Sequence, residues 1–291
     1  MPHFPSLVSP AELAPHLDDP DVLIVDASVN LTRDGEGQPY RITSGRAGYD
    51  AAHIPGAVFA DLISVFSDPD GSLMFQLPTI AQFEAAAGAL GIRPGVSVVA
   101  YVQELPTFAP RLWWLLRYFG FDAVSVLDGG LRAWQAAGLP VTDAVTPPRA
   151  PSSFVASPRE HLLARREEVE RVTQGTHVAC LINSLSPAEF RGEGVPADER
   201  GGSIPGSVNV PWYANVERDS GFYRPATELA EAYARAGVTK DQPVITYCGG
   251  GIAASMDAFA LSLAGYDNVK VYDGSLAEWV ADPSLPLVRV S

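Results

Sequence analysis

Cysteine is nearly absent from this chain, with two in 291 residues, Cys180 and Cys248. Two cannot build a disulfide framework, and no CxxC pair offers the thiolates of a structural zinc site. Nothing in the sequence calls for a metal or a cofactor. Basic charge is short as well: 20 Lys and Arg against 34 Asp and Glu leave a formal charge of −14. Surfaces that grip phosphate backbones or anionic lipid rely on Lys and Arg, so nucleic-acid and membrane partners are not expected. Individual arginines near a site become informative for the same reason. No apolar run is long enough to span a bilayer, and the opening stretch MPHFPSLVSPAELA lacks the basic-then-apolar pattern of a secretory leader. A reducing cytoplasm is the expected compartment.

What is present is a repeat. The first half runs VLIVDAS, AAHIPGAVFADL, GVSVVAYV and FGFDAVSVLDGGLRAWQAAGLPV. The second runs VACLINS, GGSIPGSVNVPW, QPVITYC and AGYDNVKVYDGSLAEWVADPSLPL, in the same order. Self-similarity on this scale means two copies of one structural unit. Within each copy, continuous apolar runs such as VLIVDA, VSVVAYV and AVSVLD have the pattern of strands covered on both faces. TIAQFEAAAGALG and ATELAEAYARAG carry a 3.6-residue apolar period and a terminal Gly, as helices do. Strands separated by helices imply an α/β unit with a mostly parallel sheet flanked by helices. The Pro- and Ser-rich residues 141–160 join the copies, which divides the chain into domains 1–148 and 149–291.

Cys248 lies in PVITYCGGGIAAS, at the carboxyl end of an expected strand and before an expected helix that Gly265 stops. Ligands of open parallel sheets bind outside the carboxyl ends of their strands. Unpaired amides and the positive end of the helix dipole favour an anion there, and three glycines let successive N–H groups turn inward. Strand, Cys, Gly-rich loop and helix suit a nucleophile whose product is also an anion. A core cysteine beside a tight turn is the alternative reading of this pattern. Cys180, inside HVACLIN, reads as core filler in mid-strand. A cysteine phosphatase would need an Arg where Ala254 stands, and a phosphate-binding P-loop needs a Lys that GGGIAAS lacks. The histidines offer no persuasive base for a papain-like mechanism.

The chain resembles the tandem-domain rhodanese family of sulfurtransferases over nearly its whole length. AAHIPGAVFAD and GGSIPGSVNVPW match the family's His-Ile-Pro-Gly-Ala element in each domain. APRLWWLLRYFGFDAVSVLDGGLRAW is similar to its non-catalytic first domain, and YCGGGIAAS with YDGSLAEW to its active loop and tail. The resemblance implies two rhodanese-like domains, of which the second is catalytic. Cys248 would take the sulfane sulfur of a small donor as a persulfide and pass it to a thiophilic acceptor such as cyanide, a small thiol or thioredoxin. The loop of Cys248, Gly249, Gly250, Gly251, Ile252 and Ala253 would cradle that sulfur, and Val102 stands where the first domain would need a nucleophile.

The uncharged loop is similar to that of the mercaptopyruvate-type members and points to 3-mercaptopyruvate as donor. Thiosulfate is one alternative, and a persulfide carrier serving a protein partner is another. Gly250 replaces that type's hydroxyl residue, Phe75 its histidine, and Asn183 and Leu185 the Asp and Arg of its Asp-x-Arg element. Arg191 remains as the expected carboxylate ligand. Arg111 is expected either at the cleft or in an interdomain ion pair, and Asp273 as a brace beside the active loop.

Overall fold

The computed structural model describes residues 4–32, 41–147, 149–193, 195 and 200–289. Each repeat forms a five-stranded, wholly parallel sheet. In the first, the order across the sheet is Leu7–Val8, Val124–Leu127, Ser97–Tyr101, Val22–Asp26, Val58–Phe59. In the second it is Leu163–Ala164, Val269–Tyr272, Val244–Tyr247, Cys180–Asn183, Val208–Asn209, the same order by position in the repeat. The copies match down to register, since Asp26 pairs with Tyr101 and Asn183 with Tyr247. Val22–Asp26 and Ser97–Tyr101 are buried along their whole length, as their unbroken apolar runs require. An antiparallel hairpin, Val29–Thr32 with Arg41–Ser44, is added to the first repeat.

Helices cover both faces of the sheets. Ile80–Ala89 starts at a Thr79 capping box closed by Gln82, and Ile252–Leu263 ends before Gly265 at φ +78°. The two repeats share one hydrophobic core. Phe108–Tyr118 of the first packs on Ile252–Leu263 of the second, with Trp113 edge-on to Phe259 at 4.9 Å. From Arg149 the chain lies against the first repeat: Ser152 N–H donates to Gly88 O and Ser157 N–H to Phe119 O, both at 2.9 Å.

Each repeat also reaches into the other through the aspartate that follows its Val124–Leu127 or Val269–Tyr272 strand. Asp128 accepts the Tyr223 N–H at 2.8 Å, and Asp273 accepts the Leu77 N–H at 2.9 Å. These crossings hold the loops above the strand ends, where the site lies.

Candidate active site

The Val244–Tyr247 strand is fully enclosed, and its last residue is pinned by its phenol. Tyr247 Oη accepts the Ile204 N–H at 3.0 Å and donates to Ser207 Oγ at 2.9 Å. Cys248 therefore leaves a fixed strand end, with 3% of its surface exposed. Four residues on, the Ile252–Leu263 helix begins, and Gly251 is its N-cap at φ +80°.

The three glycines are not equivalent. Only Gly251 lies in the left-handed region, and a Cβ there would meet Asp273 O at 2.8 Å and its Oδ1 at 2.9 Å. A Cβ on Gly249 would meet nothing within 4 Å, and one on Gly250 only Met74 O at 3.7 Å. Glycine is thus required by conformation at one position and leaves open space at two.

A serine organises this turn. Ser275 Oγ accepts N–H groups from both Cys248 and Gly251 at 3.1 Å, and its single proton goes to Tyr272 O at 2.8 Å. The same Oγ lies 4.0 Å from Cys248 Sγ. Ser275 holds a left-handed conformation, φ +50°, and its counterpart Gly130 sits at φ +58°. The correspondence follows from the backbone: Leu131 N–H donates to Val102 O as Leu276 N–H donates to Cys248 O. The sequence signal was DGG in one copy against DGS in the other, a side chain kept where the partner copy needs glycine.

Asp273 is the expected brace, and Arg111 is the interdomain ion pair. Arg111, 1% exposed, donates through Nη1 to Asp273 Oδ1 at 2.6 Å and through Nη2 to Phe75 O at 2.7 Å. Phe75 is turned into the core, 5.6 Å from Phe108 between ring centroids, with φ +60°. Behind the helix start, Asp257 is fully buried, and burial pushes its carboxyl up to about 7. Asn215 Nδ2 donates to it at 2.6 Å.

Cys248 leads through a bend of Gly249, Gly250 and Gly251 into Ile252 and Ala253, the first two residues of the helix. Arg191 is on another element, the last residue of the short helix Pro187–Arg191, half-exposed, with its Nε donating to Glu193 at 2.6 Å. Leu185 is half-buried against the core, and its N–H is taken by Asn183 Oδ1 at 2.9 Å. Cys180 opens the Cys180–Asn183 strand rather than lying in its middle, and burial pushes its thiol up. His53 is structural, in a β-bridge with Thr142 rather than in a turn, stacked on Tyr49 at 4.1 Å with Nδ1 on Tyr49 O at 2.7 Å.

Comparison with known proteins agrees with this geometry. The rhodanese-like domain model matches the chain twice, over residues 9–137 and 166–282. The 3-mercaptopyruvate sulfurtransferase of Escherichia coli is 35% identical over 289 residues, covering 96% of each chain. The thiosulfate sulfurtransferase of Rattus norvegicus is 37% identical over 239 residues, covering 80% of this chain and 79% of its own. The crystal structure of SseA from Escherichia coli superposes with a TM-score of 0.80 at 32% identity, covering 94% of this chain and 99% of that one. Two matched modules, relatives similar along the full length and a shared tandem fold lead to one conclusion: the chain belongs to the rhodanese-like domain family and is a sulfurtransferase.

Proposed function

We propose that the protein moves sulfur from 3-mercaptopyruvate through a persulfide on Cys248 to a thiophilic acceptor, with residues 1–148 as the silent domain and 149–291 as the reacting one. The observation that carries this reading is the position of Cys248 between a pinned strand end and the N-terminus of the Ile252–Leu263 helix. The Cys248 thiolate attacks the donor sulfur and the carbon–sulfur bond breaks. The carbon fragment leaves with the bonding pair and takes up the proton from sulfur, giving pyruvate and Cys248–S–S⁻. Cyanide then attacks the outer sulfur, which yields thiocyanate and returns the thiolate. With thiosulfate, sulfite is the leaving group and the balance is otherwise the same.

A persulfide anion needs hydrogen-bond donors, and the loop carries no cation. The N–H groups of Cys248 and Gly251 are already engaged by Ser275. Those of Gly249, Gly250, Ile252 and Ala253 are left to face the sulfur. Arg191 would hold the donor carboxylate after exchanging its Glu193 partner. The open space over Gly249 and Gly250 leaves room for the donor.

A second reading is favoured by Leu185 and by the Arg191–Glu193 pair: a persulfide carrier that serves a protein, with a small thiol or thioredoxin among its acceptors. Its compartment would be the cytoplasm; among the described residues no helix is long and apolar enough to cross a membrane. Cys248→Ser should abolish thiocyanate formation from every donor, and full turnover in that variant would overturn the assignment. The ratio of kcat/KM for 3-mercaptopyruvate and thiosulfate decides the donor. Stoichiometric persulfide on Cys248 with negligible turnover of both decides for the carrier.

A further inference from the structure

The domain without a nucleophile sends one charged side chain to the active loop. Arg111 occupies the same place after Val102 that Asp257 occupies after Cys248, on the equivalent helix. Its guanidinium is buried between the domains, 4.9 Å over the Trp114 ring, and bridges Asp273 and the carbonyl of Phe75. Leu77 N–H closes the remaining oxygen of Asp273. Both oxygens of that carboxylate are therefore held by the first domain. Taking a guanidinium and a carboxylate out of water is costly, and a buried pair is weak grounds for extra stability over apolar packing. Geometry gives the pair another use.

Asp273 begins the turn that delivers Ser275 to the N–H groups of Cys248 and Gly251. Its carbonyl and Oδ1 are also the atoms that leave no room for a Cβ on Gly251, with Arg111 Nη1 next at 3.3 Å. A shift of Asp273 would move both supports of the loop together. We infer that Arg111 is a positioning residue for sulfur transfer, acting through Asp273 and Ser275 on the backbone that carries Cys248. The inference rests on Cys248 as the nucleophile.

The test compares Arg111→Met, Arg111→Lys and Asp273→Asn with a control at the same interface, Trp113→Leu. Trp113 packs on Phe259 and makes no contact of this chain of bonds. Mispositioned reacting groups lose rate steeply, so kcat for thiocyanate formation should fall about tenfold or more in Arg111→Met. Donor KM should stay within about twofold of wild type, because the cation does not bind the donor. Arg111→Lys should recover part of kcat. Asp273→Asn should fall with Arg111→Met, and the double variant should be no slower than the worse single one. Trp113→Leu should lower the thermal midpoint while keeping kcat.

Wild-type kcat in folded Arg111→Met, or a loss no larger than in the control, overturns the inference. If Arg111→Met does not fold, wild-type kcat in Asp273→Asn overturns it instead. A Cys248 that fails to react with iodoacetamide in a folded but inactive wild-type protein overturns the nucleophile assignment, and this inference with it.

Discussion

Removing one oxygen atom, in Ser275→Ala, strips three hydrogen bonds from the active turn. The N–H groups of Cys248 and Gly251 lose their acceptor, and Tyr272 O loses its donor. Each buried amide left unpaired costs about 1–3 kcal/mol, so the two together cost about 2–6 kcal/mol if no water replaces the hydroxyl. Against a total stability of about 5–15 kcal/mol this is a large fraction. Ser275→Gly makes the same deletion but relaxes the left-handed backbone, a relief of about 1–2 kcal/mol. Added freedom of the unfolded chain offsets about 0.4–1 kcal/mol of that. The glycine variant should therefore be the more stable of the two by up to about 1.6 kcal/mol, the difference between those figures. Urea unfolding followed by circular dichroism and by tryptophan fluorescence measures the order, and two probes show whether the domains unfold together. Thiocyanate formation should fall about tenfold or more in both variants, since both free the turn that carries the thiol. A Ser275→Ala protein within about 0.5 kcal/mol of wild type, with full turnover, would refute the view that this hydroxyl organises the loop.

Two further outcomes follow from the same geometry. Gly249→Ala should fold with the thermal midpoint of wild type, since its methyl meets no protein atom within 4 Å, whereas Gly251→Ala, at φ +80° with Asp273 O 2.8 Å from the new methyl, should lower the thermal midpoint and lose most activity. Equal behaviour of the two would contradict the asymmetry of the loop. Asp257 keeps its proton in the folded state up to about 7, while the unfolded chain releases it near the ordinary aspartate value. Between those pH values the native state binds more protons, so stability falls as pH rises through the window. Asp257→Asn should flatten thermal midpoint against pH there, with a residual slope of the same sign from Asp128, which burial pushes up to about 6. An unchanged slope would show that Asp257 ionises freely.

What could be read from the residues was what neighbours along the chain decide. VLIVDA, VSVVAYV and VITYC are strands because unbroken β-branched runs fit the middle of a doubly covered sheet. Cys248 was placed at a strand end because strand, glycine and helix follow directly on one another. Three glycines in a row, however, do not reveal which one carries the positive φ; that depends on Asp273, far along the chain. Ser275 and Arg111 were legible only in part for the same reason, since their partners come from contacts across 27 and 162 residues. Composition and period are blind to such pairings. Comparison of the two repeats is not, and the Gly130-to-Ser275 difference was its one visible trace.

The reciprocal crossings of Asp128 to Tyr223 and Asp273 to Leu77 bear on how such a duplicated chain ages. A copy that has given up its chemistry is ordinarily free to drift. Here each half completes the backbone hydrogen bonding of the other, so a substitution in the Leu77 loop is felt beside Cys248. Shape alone ties the half that carries Val102 to the half that carries Cys248, and neither could be inherited alone without exposing the amides it now shares.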